Sequence, residues 1–219
     1  MSRPLPDRVA AVSALDDPAR RALLELVTAS EAPVGRDEAA QALGLTRRAT
    51  AFHLDRLAEA GLVEVEFRRL TGRTGPGAGR PSKLYRRPGD EVAVSVPERH
   101  YDLAGELLAA AVEANAVGGE PARDALLRLA RDAGRDLGAR AGRLEDVVRD
   151  HGYAPRPGAA GVTVLANCPF HRLAQRHTDV VCHLNLELLR GAAEATGDSR
   201  QVVLDPAPGR CCVALLPAG

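Results

Sequence analysis

Tryptophan is absent from the 219-residue chain, and phenylalanine and tyrosine occur three times each. Without large rings a core must be assembled from many small contacts. The abundant alanine, leucine and valine therefore predict helices that pack closely along smooth faces. No run of about 18 apolar residues occurs, so neither a membrane-spanning helix nor a membrane partner is expected. The opening MSRPLPDRVA carries charges with no hydrophobic stretch behind them, which argues against a secretory leader and for a cytoplasmic location. Glycine-rich nucleotide loops, C-x-x-C pairs and carboxylates spaced for hydrolysis are missing as well, so the chain does not read as an enzyme. Net charge is zero, with 29 basic and 29 acidic side chains, and any attraction for a polyanion must come from local clustering.

A hydrophobic content of 45% supports two modest cores in a chain of this length. Near the N-terminus, Asp17 and Pro18 open a helix through about Ala29, with Leu23, Leu24 and Val27 turned inward. The segment VGRDEAAQALGL predicts a short extended entry at Val34 and a helix from about Arg36 to Leu43, stopped by Gly44 at a sharp turn. Thr46 is placed to cap the next helix, in which Thr50, Leu54 and Leu57 form one stripe and Gly61 marks the end. That stripe is the buried one. The opposite face carries Arg47, Arg48, Phe52 and Arg56, donors and an apolar group of the kind that reads guanine edges or a thymine methyl in the major groove. Phe52 meets a base or packs under the following hairpin, and His53 reads as a helix-packing residue.

LVEVEFRRL alternates as a strand from Leu62, and Lys83 to Arg87 return as its partner around the loop TGRTGPGAGRPS, which makes a two-stranded wing. Arg68, Arg69, Arg73, Arg80, Lys83, Arg86 and Arg87 follow one another up to Pro88 with no acidic residue between them. The neutral total thus hides a local positive field suited to phosphates or a minor groove. ALGLTRRATAFHLDRLAEAGLVEVE, followed by GRPSKLYR, resembles the ArsR/DeoR-type winged-helix regulators of bacteria over roughly residues 15 to 90. The resemblance implies a recognition helix starting at Thr46, a wing tip around Gly72 to Arg80, and double-stranded DNA as partner. The expected DNA-binding set is Thr46, Arg47, Arg48, Phe52, Arg56, Arg68, Arg69, Arg73, Arg80 and Lys83, within a winged helix-turn-helix domain over residues 1–90.

Beyond Asp90 the pattern changes. After the extended piece EVAVSVP comes an alanine-rich helix from about Glu98 to Ala116. Tyr101, Ala104, Leu108 and Ala111 lie on one stripe of it, and Leu103, Leu107 and Ala114 on another. Two apolar faces exceed what one core needs, so residues 91–119 read as a linker and dimerisation helix facing a second copy of the chain. A homodimer presents two recognition helices to half-sites about one turn apart, and the expected operator is an inverted repeat. Residues 120–219 read as an α+β effector domain. Its expected elements are a helix carrying Leu126, Leu129, Ala133 and Leu137, a short helix from Leu144 and a strand from Val162. A helix from near Thr178 closed by Gly191 follows, then the strands QVVLDP and RCCVALL around a turn at Pro206 to Gly209. The fold class is α+β throughout.

All four cysteines, Cys168, Cys182, Cys211 and Cys212, fall in this last domain. A cytoplasmic location argues against structural disulfides and leaves a metal site, a redox site or simple burial. Cys168 ends a strand before Pro169, and Cys182 shares a helix stripe with Leu186 and Leu189. Neighbouring strand residues point to opposite sides, so in regular geometry only one of Cys211 and Cys212 joins the other two. The arrangement C-x13-C-x28-C-C resembles the cysteine region of SufR-like regulators over about residues 100 to 216. That resemblance implies an iron–sulfur cluster held by Cys168, Cys182 and Cys212 or Cys211. Zinc suits the same thiolates, and His171, His177 and His183 are imidazoles near enough in sequence to add a ligand, or are surface and cap residues. Two other readings compete: a regulator whose C-terminal pocket senses a small apolar molecule without metal, and, from Cys-Pro-Phe-His at 168–171, a thiol-dependent enzyme.

Overall fold

The computed structural model describes residues 4–69, 81–89 and 91–218, in two compact units, Met1–Val94 and Ser95–Gly219. The first unit contains α1 (Leu5–Ser13), α2 (Pro18–Ala29), β1 (Val34–Gly35), α3 (Arg36–Leu43), α4 (Arg47–Glu59) and the hairpin strands β2 (Glu64–Arg68) and β3 (Ser82–Arg86). Local chemistry sets these limits. The Asp17 carboxylate accepts the Ala19 and Arg20 amides at the start of α2, where Pro18 occupies the first turn. Gly44, at φ +65°, closes α3 in a conformation a side chain would resist, and the Thr46 hydroxyl accepts the Ala49 amide to open α4.

β3 lies between β1 and β2 in an antiparallel sheet, with both Val34 and Val65 opposite Tyr85. Leu23, Val27, Leu54, Leu57 and Tyr85 form the buried core beneath it. α1 escapes a periodicity argument because its polarity is reversed: Leu5, Val9 and Val12 are exposed, while Arg8 is turned inward and donates to the Ala93 carbonyl.

The second unit begins with α5 (Tyr101–Gly118), α6 (Ala122–Ala141) and α7 (Leu144–Asp150). It continues through β4 (Pro155–Pro157), β5 (Thr163–Leu165), α8 (His171–Arg176), α9 (Thr178–Thr196), β6 (Gln201–Leu204) and β7 (Val213–Leu216). Its antiparallel sheet runs β4-β5-β7-β6. α5 buries Ala104, Leu107 and Ala111 in the same core as Leu126, Ala130 and Leu188. It is therefore the first helix of this unit, and the division falls after Val94 where the sequence suggested separate segments at 90 and 119.

β4 and α8 fall where the sequence predicted no helix or strand. β4 is bracketed by prolines, tolerated because it lies at the edge of the sheet. A further difference is the length of α9, which passes through Gly191 and ends at Thr196, where Gly197 adopts φ +66°. Gly191 serves contact between helices. A Cβ there would stand 1.9 Å from the Arg131 carbonyl oxygen, one at Gly134 would stand 1.9 Å from that of Leu188, and one at Gly138 2.6 Å from that of Ala192. The three glycines let α6 and α9 cross backbone to backbone, the aromatic-poor packing anticipated from composition. Gly191→Ala is expected to destabilise this unit by about 1–3 kcal/mol, as overpacking does. An unchanged urea midpoint would show that the helices are not so close.

Candidate nucleic-acid interface and thiol cluster

α4 buries Thr50, Leu54 and Leu57 and leaves Arg47, Arg48, Phe52 and Arg56 exposed. Phe52 is 57% exposed, which a packing role under the hairpin would not leave. His53 packs instead, its ring 5.4 Å from that of Phe52 and its Nδ1 4.0 Å from the Asp17 carboxylate. Arg47 meets Asp37 at 2.7 Å and Arg56 meets Glu59 at 2.9 Å, all four well exposed. Such surface pairs are worth roughly 0–1 kcal/mol, so either arginine exchanges its partner for a phosphate at little cost. Among the described residues Arg48, Arg69 and Arg87 are exposed and in no ion pair. Arg68 lies 3.7 Å from Glu66, and Arg86 pairs with Glu64 across the hairpin. Arg73, Arg80 and the expected wing tip lie outside the described residues.

Lys83 has a different place from the one the sequence suggested. Its ammonium donates to Asp55 on α4 at 2.6 Å, the Tyr85 hydroxyl donates to the same carboxylate oxygen at 2.5 Å, and the Arg36 guanidinium reaches it at 3.2 Å. Lys83 and Tyr85 lie two apart on β3 and so share a face, which aims both at one acid. Burial pushes the Asp55 carboxyl upward, yet the bonds from Lys83, Tyr85 and Arg36 outweigh it and hold the group below the ordinary carboxylate range. The node ties β3 to α4.

Because the folded carboxyl is depressed, its contribution is present above the unfolded value and is lost as pH falls through the folded one. Asp55→Asn is expected to destabilise the protein at neutral pH by on the order of 1 kcal/mol, since the acid is partly exposed. The deficit should shrink on acidification through and below the ordinary carboxylate range. Urea titrations at neutral and acid pH check this, and a deficit independent of pH would deny the charged node.

In the second unit Cys168, Cys182 and Cys211 are buried and Cys212 is half-buried. Cys211 and Cys212 precede β7 instead of lying in it. The alternation that would send one of them away does not apply there, and both reach other thiols. Cys168 donates to Cys211, Cys212 also faces Cys211, and Cys182 faces Cys212. The Val213 amide and the Asn185 side chain donate to Cys211 as well, the latter at 3.1 Å. These donors, Cys168 and Cys212 foremost, pull the Cys211 thiol down to about 3 against the opposing effect of burial. Cys168 and Cys212 rise well above the ordinary thiol range because their protons are held by Cys211 and they are buried. The Cys182 thiol is pushed upward by its burial.

His171 and His177 are exposed, the first beside Gln175 at 3.1 Å, and His183 bonds the Asp179 carbonyl at 2.7 Å. Among the described residues no group of three or more His, Cys, Asp or Glu side chains is placed to hold a metal ion. The four thiols are all free, and the Asp179 carboxylate acts on Cys182 from nearby.

The loop carrying Cys168 is gripped from the first residues of the unit. The Arg99 guanidinium donates to the Cys168 carbonyl at 2.8 Å and to the Asn167 side chain. The Asn167 amide in turn donates to the carbonyls of Glu98, at 3.2 Å, and Gly152. The His100 amide completes the attachment at the Pro169 carbonyl. Asp55, Arg99, Asn167 and Asn185 were not singled out from sequence. A polar residue one turn from Cys182 on a helix otherwise apolar toward the core was the available signal for Asn185.

Comparison with known families matches residues 15–66 to a helix-turn-helix domain. The matched span runs through α2, α3 and α4 into β2 and includes exposed Arg47, Arg48, Phe52 and Arg56. No curated protein and no solved structure matches the chain. Among the described residues no helix is long and apolar enough to cross a membrane. The chain carries a helix-turn-helix domain, and this points to a DNA-binding regulator.

Proposed function

We propose that this protein is a sequence-specific transcriptional regulator that binds an inverted-repeat operator as a homodimer. In this reading DNA affinity is set by an iron–sulfur cluster or a metal ion held on the C-terminal cysteines. The observation that carries the DNA-binding part is α4, whose outer face joins exposed Arg48 and Phe52 to a tethered basic hairpin. A guanine edge takes a guanidinium in bidentate fashion and a thymine methyl takes an apolar ring. Repression follows if the operator overlaps a promoter. Arg48→Ala is expected to weaken the preferred site by about 1–3 kcal/mol and to relax the sequence preference. Arg69→Ala is expected to weaken all sequences alike and flatten the salt dependence. Fluorescence anisotropy with specific and scrambled duplexes distinguishes them, and an identical loss on both duplexes for Arg48→Ala would count against base reading.

The homodimer rests on the outer face of α5. With Ala104, Leu107 and Ala111 turned into the core, Gly105, Leu108, Ala109, Val112 and Ala116 remain as an exposed, smooth stripe, Val112 being 62% exposed. Apolar surface in such continuity is stabilised when the same helix of a second copy covers it. Val112→Glu is expected to give monomers that retain their helicity. Light scattering reads the mass, and an unaltered dimer would move the interface elsewhere.

Cys168, Cys182 and Cys211, with Cys212 as the alternative third ligand, would hold the cluster or metal, which when bound supplies a crosslink that oxidation can break. The route to DNA is supported by the Arg99 and Asn167 bonds. They join the Cys168 backbone to residues 98–100, close behind the end of the first unit at Val94. A change in the Cys168 loop thus alters the chain that leads from the DNA-binding unit, provided the two states differ in stability. The loaded protein is expected to bind the operator more tightly than the unloaded one; equal affinities would sink this control. The competing pocket reading has less support. A shallow surface depression of about 470 Å³ is lined by Arg143, Glu145, Asp198 and Arg200, charges that do not suit an apolar effector.

A further inference from the structure

Two of the three phenylalanines stand in water, and both belong to the first unit: Phe52 on α4 and Phe67 on β2, the latter 66% exposed. The third, Phe170, is fully buried. Val65 and Tyr85, one alternation inward on the same strands, already pack on the core, so the Phe67 ring lies beyond it. A single exposed apolar side chain is ordinary on a protein surface. What marks Phe67 is its place.

The strand register sets Phe67 directly opposite Lys83 on β3, and residues so paired share a face of the hairpin. Lys83 reaches Asp55 on α4, so Phe67 stands on the side of the hairpin turned to that helix. Phe52 lies one turn before Asp55. The two exposed rings thus border the Asp55 node, one from the helix and one from the strand. Cations surround them: Arg48 and Arg56 lie one turn to either side of Phe52, and Arg68 and Arg69 follow Phe67, all exposed. An apolar protein partner covering the Phe67 ring would strip water from these guanidinium groups without pairing them. A DNA duplex gives each a phosphate and offers apolar surface of its own, on its sugars and base faces.

We infer that Phe67 is a DNA-contact residue whose ring leaves water against the apolar surface of a duplex bound along α4 and the hairpin, between phosphates held by the neighbouring arginines. The inference rests on the DNA-binding reading of the preceding section and adds to it an uncharged contact outside the helix. Such a contact has a signature. Arginine contacts to phosphates release counterions and weaken as salt rises, whereas burial of a ring releases none. The apolar surface has two sources on a duplex. Deoxyribose edges are the same in every sequence, while a base step opened by the ring as a wedge yields most readily at flexible pyrimidine–purine steps.

The test uses the full chain as wild type, Phe67→Ala and Phe67→Leu, with the duplex that the wild type selects from a random pool and a scrambled duplex of the same composition. Anisotropy titrations over a range of salt are expected to show Phe67→Ala binding about tenfold more weakly, the scale of burying most of a phenylalanine side chain, with the dependence on salt unchanged. Phe67→Leu keeps apolar bulk and should lose less; it also carries the comparison if Phe67→Ala lowers the urea midpoint. An equal loss on both duplexes places the ring on deoxyribose, and a loss confined to the selected duplex places it at a base step. Wild-type affinity of Phe67→Ala for both duplexes, or a loss accompanied by a flattened salt dependence, would overturn the inference. A fall in mass by light scattering would overturn it too, assigning the ring to contact between copies. In each of these cases weaker binding of the selected duplex by Arg48→Ala would leave the DNA-binding reading standing. A wild-type chain that selects no duplex from the pool would overturn both.

Discussion

The close crossing of α6 and α9 is the constraint on which the C-terminal unit depends. Gly134, Gly138 and Gly191 remove the side chains that would hold the two backbones apart. α9 carries Cys182 and Asn185 and lies against the sheet that ends in β7, so its depth sets whether those groups reach Cys212 and Cys211. A chain with no tryptophan has few large side chains with which to fill a wider gap. The approach is reinforced at the surface, where Arg131 and Arg135 meet Glu187 and Glu194. These pairs are partly exposed and contribute less than the packing beneath them.

The two units use charge in opposite ways. In the first, cations are displayed: Arg48, Arg69 and Arg87 face solvent, and Asp55, an acid within reach of β3, is consumed in fixing its position. In the second, thiols are gathered out of the solvent, with that of Cys211 pulled down by its hydrogen-bond donors and those of Cys168 and Cys212 pushed up. A displayed positive field suits a polyanion, whereas gathered thiols suit a soft cation. The Arg99 and Asn167 bonds connect the second arrangement to the chain leading from the first.

Most of the first unit was legible in the sequence because its signals are local. Asp17 with Pro18, Gly44, and Thr46 each act within one turn, and the stripe of Thr50, Leu54 and Leu57 has the helical period. α1 was not legible, since its exposed Leu5, Val9 and Val12 and inward Arg8 invert the pattern that periodicity detects. In the second unit Gly191 read as a helix end because a glycine has the same letter at a terminus and at a crossing. Only the partner helix, far away in sequence, distinguishes them. The cysteines were visible as a set, but their order of contact was not. That Cys211 and Cys212 both reach other thiols depends on β7 starting at Val213, one residue beyond them. The Asp55 node and the hydrogen bonds from Tyr153 to Asn185 and from Asn185 to Cys211 are contacts between residues about 30 apart, outside any local pattern.

The measurement that tests the account most directly is the visible spectrum of protein purified without air, taken with its iron, acid-labile sulfide and zinc content. The account predicts a brown protein with matched iron and sulfide, or a colourless one with stoichiometric zinc if the thiols hold that metal instead. A colourless protein containing none of these, with all four thiols free to react, would contradict a thiol-held effector and leave the helix-turn-helix domain without the control assigned to it.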